Sequence, residues 1–372
     1  MGTSAPPTHM TNPIPNSTNQ APTAPEQNYL IIAKVKIPKD DILLDISEYT
    51  YSHEKRTNHS AIGQSNGNII IEKKILHQGE VQKARYMPQN PNVIASKITN
   101  GEIHLFDINK PYTNTVKPSP EYILTGHTAN GKAMCWNNEK DGCLLSGALD
   151  GKVLSWNIEG GSSQGGKIQP ANEINLISER QSEKVYVNDV CWHKKNGNLF
   201  SSCTNQGVIQ HWDIRDTQTE VQKVMAFDCE VNTLDFHPQD PNLYVSGSAD
   251  AQVVLWDMRK PNERLHTFVG HTDSILKVEW GVNAPILASS SVDKRIHIWD
   301  MAKINASQTT EEAIDGPPEL LFVHAGHRGR VCDFNWNPNN AEDLLIASTE
   351  QETNNIHVWS MAKYIYDDQY YT

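Results

Sequence analysis

The chain has 372 residues, 38% of them hydrophobic, and 44 acidic against 32 basic side chains give a formal net charge of −12. Its longest apolar run, residues 29–33, is far shorter than the roughly 18 residues that a membrane-spanning helix needs. The first basic residue is Lys34, so we expect neither a secretory signal nor an Arg-rich transit peptide, and hence neither a membrane protein nor a secreted one.

The acidic balance bears on the choice of partners. Excess carboxylate repels nucleic acid and attracts basic proteins. The lysines form isolated pairs such as Lys73-Lys74 and no continuous basic stripe. The sequence therefore predicts basic protein partners, with no direct contact to nucleic acid or to a membrane.

The first 27 residues contain six prolines among Thr, Asn, Ser and Ala, and lack any helical or strand period. This composition is typical of a disordered segment, so we predict a disordered leader over 1–27. Two strand-like runs follow, at 29–37 and 68–76, and they are candidates for part of a propeller blade.

From Tyr86 onward the sequence repeats in six units. Each unit has a first aromatic residue and, 19 to 23 residues later, a second one that Asp usually follows, and the period between units is 43 to 60 residues. The first aromatics are Tyr86, Trp136, Trp192, Phe236, Trp280 and Trp336. The second are Phe106, Trp156, Trp212, Trp256, Trp299 and Trp359. Self-similarity at about 40–45 residues ending in Trp-Asp is typical of a β-propeller blade.

The fourth unit shows the physical reason for this pattern. Leu234 and Phe236 alternate with Thr233 and Asp235, which predicts a half-buried strand. A second strand follows at 243–247, and the continuously apolar 253–256 predicts a third strand buried on both faces. One sheet cannot bury both of its faces alone, whereas blades stacked around an axis can.

The predicted fold is therefore all-β. It is a seven-bladed WD-repeat β-propeller over 28–363, built from six clear repeats plus a partial blade from the N-terminal strands. The end of a short C-terminal helix, which also carries Met361, and a tail complete the chain over 364–372. Long inserts at 108–120, 158–184 and 301–318 are candidate binding elements, and 160–166 is predicted to be a flexible Gly/Ser loop.

Some polar residues resemble parts of catalytic or metal sites. His127 with Asp150, and His271 with Asp293, could belong to a Ser-His-Asp triad, but at blade spacing such pairs more often satisfy backbone and Trp indole groups. The six cysteines are scattered without a C-x-x-C pair, which favours buried thiols in a reducing compartment over a zinc site or a redox pair. We predict no catalytic residue, no metal and no cofactor.

Three stretches are more specific than the repeats: GEVQKARYMPQNP (79–91), DGPPELLFVHAGH (315–327) and VWSMAKYIYDD (358–368). Over about residues 28–368 the chain resembles the retinoblastoma-associated histone-binding WD-repeat proteins. These are small subunits of chromatin assembly factor and of type B histone acetyltransferase, histone deacetylase and Polycomb complexes. The resemblance implies a non-enzymatic subunit of a hetero-oligomeric complex, which holds histones H3–H4 for larger chromatin-complex subunits in the nucleus and cytoplasm.

The first surface that the resemblance implies is a side groove for the first helix of histone H4. Apolar side chains of the groove would give contact area, and carboxylates would pair with basic histone residues. The positions of this chain that match the family's groove are Glu312, Asp315, Gly316, Pro317, Pro318, Leu320, Phe322, Met361 and Ile365. By spacing alone, a solvated loop and a core residue at Ile365 are an equally good interpretation.

The second surface is the propeller mouth, which in this family binds basic histone-tail peptides. Its side chains lie six and four residues before each first aromatic. They are Glu80, Gln82, Asn130, Lys132, Tyr186, Asn188, Glu230, Asn232, Ser274, Leu276, Arg330 and Cys332. Asn130, Asn188 and Ser274 stand where the family has acids, and each lost charge-assisted contact would cost about 1.5–3 kcal/mol. We therefore expect weaker or altered tail recognition.

The chain also departs from the family at its N-terminus. Residues 1–27 contain no counterpart of the family's N-terminal helix, and no strand is available to close the last blade. Either 29–37 is recruited there or the ring keeps an exposed edge. We expect a truncated or alternative start of the gene product, or a genuinely shortened family member.

The repeats alone leave a second functional class open. A propeller can present a different partner, for example as a ubiquitin-ligase substrate receptor or a ribosome-assembly factor, and the fold does not separate these functions. The chain has no basic cluster typical of a nuclear import signal, so nuclear residence rests on the resemblance and on carriage by partners.

Overall fold

A computed structural model describes residues 28–36, 69–110, 120–160, 163–178, 183–282, 285–339, 346–352, 355–361 and 365. In these ranges the protein is all-β, and its helical segments are the short 3₁₀ turns Met301–Lys303 and Glu312–Ile314. None of these segments is long and apolar enough to cross a membrane. The predicted leader over 1–27 lies outside the described residues, and so does the predicted C-terminal helix apart from Met361 and Ile365.

Within the described ranges the strands form one two-stranded hairpin and six larger sheets, whose paired strands are antiparallel except for one parallel pair in blade 1. The hairpin pairs β1 (Asn28–Val35) with β2 (Ile69–His77). Blade 1 contains β3 (Val81–Tyr86), β4 (Val93–Ile98), β5 (Ile103–Asp107) and β6 (Tyr122–Leu124). Blade 2 contains β7 (Ala133–Trp136), β8 (Cys143–Gly147) and β9 (Lys152–Asn157), and after β10 (Ser163–Gln164) and β11 (Lys167–Ile168) also β12 (Asn172–Asn175).

The remaining blades follow in chain order. Blade 3 contains β13 (Val187–Trp192), β14 (Leu199–Thr204), β15 (Val208–Asp213) and β16 (Gln222–Met225). Blade 4 contains β17 (Val231–Phe236), β18 (Leu243–Ser248), β19 (Val253–Asp257) and β20 (Arg264–Phe268). Blade 5 contains β21 (Ile275–Trp280), β22 (Ile286–Ser291), β23 (Ile296–Asp300) and β24 (Leu320–His324). Blade 6 contains β25 (Val331–Trp336), β26 (Ile346–Glu350) and β27 (Ile356–Trp359).

The predicted β-propeller is confirmed. The first strands of successive blades contact one another, so they form the inner wall. Apolar clusters fill the five seams from blade 1 to blade 6, and the seam between blades 3 and 4, for example, holds Ile209, Val224, Leu234 and Trp256. Burial on both faces goes further than the sequence suggested, because Thr233 and Asp235 are also buried against neighbouring blades.

The junction between blade 6 and blade 1 is polar. The Arg85 guanidinium on β3 donates hydrogen bonds from Nη1 and Nη2 to the two Asp333 carboxylate oxygens on β25, each at 2.8 Å. Lys277 of the neighbouring blade lies 3.0 Å from Asp333 Oδ1. Burial alone would raise the pKa of Asp333, but Arg85 and Lys277 outweigh it and hold the pKa far below its usual range.

The hairpin β1–β2 is the outer half of a further blade, which confirms the predicted partial blade. His77, at the end of β2, hydrogen-bonds Ser96 of β4 at 2.6 Å, just as His127 hydrogen-bonds Ser146 of β8 at 2.9 Å on entering blade 2. The strand β2 therefore takes the outermost position of the blade that precedes blade 1. Since β1 pairs with β2, it does not close blade 6, where β27 is the outer edge among the described strands and Ile356 is 62% exposed.

Within the insert at 158–184, the segment predicted as a flexible Gly/Ser loop (160–166) runs into a short hairpin. β10 and β11 form a hairpin whose two-residue turn has positive φ at both Gly165 and Gly166, the backbone geometry of a tight hairpin turn. β11 then pairs in parallel with β6, and Ile168 is buried in the apolar cluster between blades 1 and 2. The glycines that suggested flexibility instead allow this insert to cover the outer edge of blade 1.

Candidate interaction surfaces

The loop that carries Glu312, Asp315, Pro317 and Pro318, here called the acidic proline loop, is ordered by two reciprocal hydrogen bonds that cap its helical turn. Thr309 N–H donates to Glu312 Oε2 at 2.7 Å, and Glu312 N–H donates to Thr309 Oγ1 at 3.2 Å. This is the capping-box arrangement of a helical turn. The backbone hydrogen bond from Thr309 is also the main reason that the pKa of Glu312 is lowered. One of the carboxylates carried over to the groove is therefore engaged within its own loop.

The Asp315 carboxylate, unlike that of Glu312, takes no part in the cap. Asp315 ends the 3₁₀ turn through its backbone N–H, which donates to Glu312 O, and its side chain is exposed. Pro317 and Pro318 are half-buried and lead into β24. Asp315 is thus the acidic residue of the predicted set that the cap leaves free to meet a partner.

The loop is tethered to blade 4 by a residue that sequence reasoning missed. Glu319 is 4% exposed, and its Oε1 lies 2.8 Å from His266 Nε2 on β20. The two residues are 53 positions apart and belong to different blades. No sequence signal would have paired them, because their contact depends on how blades 4 and 5 stack.

The predicted groove residues fall into two groups. Phe322 and Ile365 pack against the cluster that contains buried Met361, and the Phe322 ring lies 5.9 Å from that of Trp359. Leu320 instead packs on the seam between blades 4 and 5. The structure therefore brings the proline-loop strand and the C-terminal residues together at the boundary of blades 5 and 6. Met361 is 3% exposed there and supports the surface from below.

The mouth positions are structurally equivalent in all six blades. In each blade the backbone carbonyl of the residue six before the first aromatic accepts a hydrogen bond from the turn between the second and third strands. The pairs, acceptor first, are Glu80–Thr99, Asn130–Leu149, Tyr186–Asn205, Glu230–Ala249, Ser274–Val292 and Arg330–Gln351. The register that the aromatic spacing predicted thus places these residues at the same level of the propeller.

Four predicted mouth residues share one cleft. Gln82, Asn130, Lys132 and Asn188 line a cleft of about 190 Å³ where blades 1, 2 and 3 meet. Asn130 Oδ1 is buried there without a hydrogen-bond partner among the described residues. The cleft thus offers a neutral acceptor next to an exposed lysine.

Two mouth asparagines are used to join blades. Asn188 Nδ2 donates to Val231 O at 3.0 Å, and Asn232 Nδ2 donates to Ser274 Oγ at 2.9 Å and to Ile275 O at 2.8 Å. Their side chains therefore have a structural role in addition to any role in binding. An acid at either position would present no N–H to the neighbouring blade.

The other mouth residues differ in exposure. Glu80, Glu230 and Arg330 are exposed, whereas Tyr186 is half-buried. Arg330 Nε lies 3.8 Å from Glu352 Oε1, so part of its charge is balanced locally. The exposed carboxylates are thus spread around the mouth on blades 1 and 4.

The residues that resemble a catalytic triad form a chain of hydrogen bonds that ends in the buried core. In blade 5, His271 Nδ1 lies 2.8 Å from Asp293 Oδ2, and His271 Nε2 lies 2.8 Å from Ser289 Oγ. Ser289 is fully buried and also accepts a hydrogen bond from Trp299 Nε1 at 2.8 Å. A substrate has no access to such a hydroxyl, and the contacts fit the structural role that blade spacing predicted.

Two histidine groups have ligand atoms close enough to hold a metal, namely His324, His327, His357 and His271, Asp293, His297. In each group two rings stack nearly parallel, with centroids 4.1 Å apart for His327 and His357 and 3.7 Å for His271 and His297. An imidazole binds a metal along its in-plane lone pair, so stacked rings cannot direct two nitrogens at one ion as placed. Burial lowers the pKa of His324 to about 4 and that of His297 to about 3, which keeps both neutral near pH 7.

Two further features were missed from the sequence. A cleft of about 430 Å³ between blades 3 and 4 is lined by Met225, Phe227, Trp256 and Arg264. In addition, Cys135 packs against the cluster that contains Cys191, so these two thiols are not isolated. The register of the repeats could have revealed this pair, because each cysteine directly precedes the first aromatic of its unit.

The six sheets and the seams between them define a β-propeller, and its mouth and insert loops are candidate interaction surfaces. Comparison with known families agrees: the WD40 family (WD domain, G-beta repeat) matches residues 220–257 and 262–300. The matched segments run from β16 to β19 and from β20 to β23. Repeats and propeller together identify a WD-repeat protein, a class that generally serves as a non-catalytic scaffold for protein partners.

Proposed function

We propose that this WD-repeat protein is a non-enzymatic histone H3–H4-binding subunit of chromatin assembly, acetylation or deacetylation complexes. In this proposal it docks the first helix of histone H4 at the boundary of blades 5 and 6 and works in the nucleus and cytoplasm. The supporting observation is the meeting of Phe322, Trp359 and Ile365 at that boundary, next to a loop that exposes Asp315. The resemblance of 315–327 and 358–368 to the histone-binding family names the partner.

The chemistry of the surface suits a basic amphipathic helix. Half-buried Phe322 and Ile365 supply apolar area, and the Asp315 carboxylate supplies a partner for Lys or Arg. The net charge of −12 adds long-range attraction for a basic protein. At the mouth, Asn188 stands where the family has an acid and is committed to Val231 O of the next blade, so we propose weaker tail recognition there.

The test is a fluorescence-anisotropy titration of the full chain with a labelled peptide of the first H4 helix at near-physiological salt. We expect Asp315→Lys to weaken binding at least about tenfold, because it replaces a charge-assisted contact by repulsion. Asp141→Lys is the matched control, since Asp141 is also exposed but lies on blade 2. It should leave the affinity nearly unchanged.

Two results would contradict the proposal. One is the absence of binding by a folded wild-type chain, which would assign the propeller to another protein partner, as for a ubiquitin-ligase receptor or an assembly scaffold. The other is an equal loss in Asp315→Lys and Asp141→Lys, which would reduce the interaction to general charge attraction.

A further inference from the structure

Two cysteines occupy equivalent positions on neighbouring inner strands. Cys135 on β7 directly precedes Trp136, and Cys191 on β13 directly precedes Trp192. These two strands contact each other at the seam of blades 2 and 3. Cys135 packs against the apolar cluster that includes Cys191. The two cysteines therefore lie side by side at this seam.

Their surroundings are polar on one side. Cys191 Sγ lies 3.4 Å from Asp235 Oδ1, and Lys194 Nζ lies 2.7 Å from the same oxygen. The positions that precede the first aromatic in the other four blades hold Arg85, Asp235, Glu279 and Asn335. The two thiols thus replace charged or polar groups in this layer.

The two thiols differ in protonation and in exposure. The neighbouring Cys191 thiol, aided by the Lys194 charge, lowers the pKa of Cys135, while the same neighbour and burial raise the pKa of Cys191. Cys135 is half-buried, whereas Cys191 is 5% exposed. Cys135 thus has the properties of a reactive thiolate, and Cys191 those of a resolving thiol.

We propose that Cys135 and Cys191 form a peroxide-sensitive dithiol that closes to a disulfide across the seam of blades 2 and 3. The Cys135 thiolate attacks one oxygen of hydrogen peroxide, the O–O bond breaks, and a sulfenic acid and hydroxide form. Cys191 sulfur then attacks the sulfenic sulfur, forming the S–S bond and expelling hydroxide, which takes up the Cys191 proton. Both thiols are oxidised, and one peroxide is reduced to two waters.

The location gives the bond a consequence for binding. Asn188 and Lys132, which line the mouth cleft, stand on the same two strands or at their start, three residues before each cysteine. A covalent bond between the strands would restrict their separation. The site is thus a modification site placed directly below a candidate peptide surface.

The test uses the full chain, fully reduced and then treated with equimolar hydrogen peroxide. Remaining thiols are blocked with N-ethylmaleimide, and peptides are mapped by mass spectrometry without reduction. We expect a cross-linked peptide pair containing Cys135 and Cys191, lighter than the sum of its reduced peptides by about 2 Da and released by dithiothreitol. The initial rate should rise with pH as the Cys135 thiolate forms.

The control variant is Cys332→Ser, which removes the exposed cysteine. It should keep the cross-link at the wild-type rate, and Cys135→Ser should abolish it. The proposal is overturned if the reduced wild-type chain gives no Cys135–Cys191 peptide, or if Cys332 reacts first and joins other cysteines at random. The mapping of the wild-type chain decides this even where a variant folds poorly.

Discussion

At the scale of single residues, one carboxylate organises the entry to blade 2. Asp150 accepts hydrogen bonds from Thr128 N–H at 2.9 Å and Lys152 N–H at 3.1 Å, and its Oδ2 lies 3.1 Å from His127 Nδ1. Burial would raise its pKa, but these contacts, His127 first, lower it to about 2. Only 6% of the side chain is exposed, so water screens the contacts little.

Asp150→Asn should therefore cost about 2 kcal/mol of unfolding free energy at pH 7. Because the folded pKa lies below the ordinary 3.8, the wild-type advantage is complete above about pH 4 and is lost as the pH falls towards 2. Urea unfolding followed by tryptophan fluorescence at several pH values measures the difference. An advantage that persists unchanged at pH 2 would contradict this origin.

Asp141→Asn provides the comparison. Asp141 lies in the same blade but is exposed in a turn, so its loss should change stability by less than about 0.5 kcal/mol. Similar effects of the two substitutions would indicate that overall charge, and not the contacts of Asp150, sets the result.

Single residues also show where sequence reasoning ends. Lys97 is fully buried and donates from Nζ to Ser146 Oγ at 2.6 Å and to Gly147 O at 2.7 Å, and burial lowers its pKa to about 7. In the sequence it is an ordinary polar residue within a strand. Its burial comes from blade 2 packing over it, which no local pattern encodes.

At the scale of elements, the insert hairpin β10–β11 protects the edge of blade 1. Unpaired edge strands invite association with other chains. Here the parallel pairing of Lys167 and Ile168 with Ile123 and Leu124 satisfies that edge. Ile168 is 1% exposed, so it anchors the insert in the core.

Ile168→Ala should therefore destabilise the protein by about 2–5 kcal/mol, through lost apolar burial and the cavity left behind. Ile177 offers a matched control in the same insert, because it is 82% exposed and its change to Ala should cost less than about 0.5 kcal/mol. Chemical unfolding of both variants gives the comparison. Equal stabilities would show that the insert does not contribute to the seam.

The elements that the sequence predicted are those with a strong period. The aromatic spacing placed the strands of the fourth unit at 243–247 and 253–256, within one residue of β18 and β19. The hairpin at 163–168 was missed because its glycines fit both a flexible loop and a tight turn, and only the pairing with β6 decides between them. The register of the mouth residues followed from the same aromatic spacing. The spacing does not reveal the Thr309–Glu312 cap or the Glu319–His266 contact, because both depend on interactions outside the repeat pattern.

At the scale of the whole molecule, Arg85 and Asp333 join the first and sixth blades. Asp333 also neutralises Lys277, so removing it leaves two cations without this partner. The number of repeats could be predicted from the sequence, but the Arg85–Asp333 contact could not. The family pattern predicted a missing strand at this junction and indicated no contact that would replace it.

A double-mutant cycle with Arg85→Met and Asp333→Leu should give a coupling energy of about 1–3 kcal/mol. Asp333→Leu alone should be the more damaging single change, since Arg85 loses both of its carboxylate hydrogen bonds and Lys277 keeps only Glu279 as an acidic partner. The exposed pair Lys152–Glu173 serves as the control cycle, with a coupling below about 1 kcal/mol. Additive effects of Arg85→Met and Asp333→Leu would mean that the junction is held by other contacts.

The Arg85–Asp333 contact can form only late in the synthesis of each molecule. Arg85 and Asp333 are 248 residues apart, so at a ribosomal pace of 5–20 residues per second the first blade waits about 12–50 s for its neighbour. During that interval the open flank of blade 1 and the edge of each newly made blade are accessible to chaperones or to other nascent chains. The time of greatest vulnerability to misassembly is therefore fixed by the order of synthesis and ends when the last blade emerges.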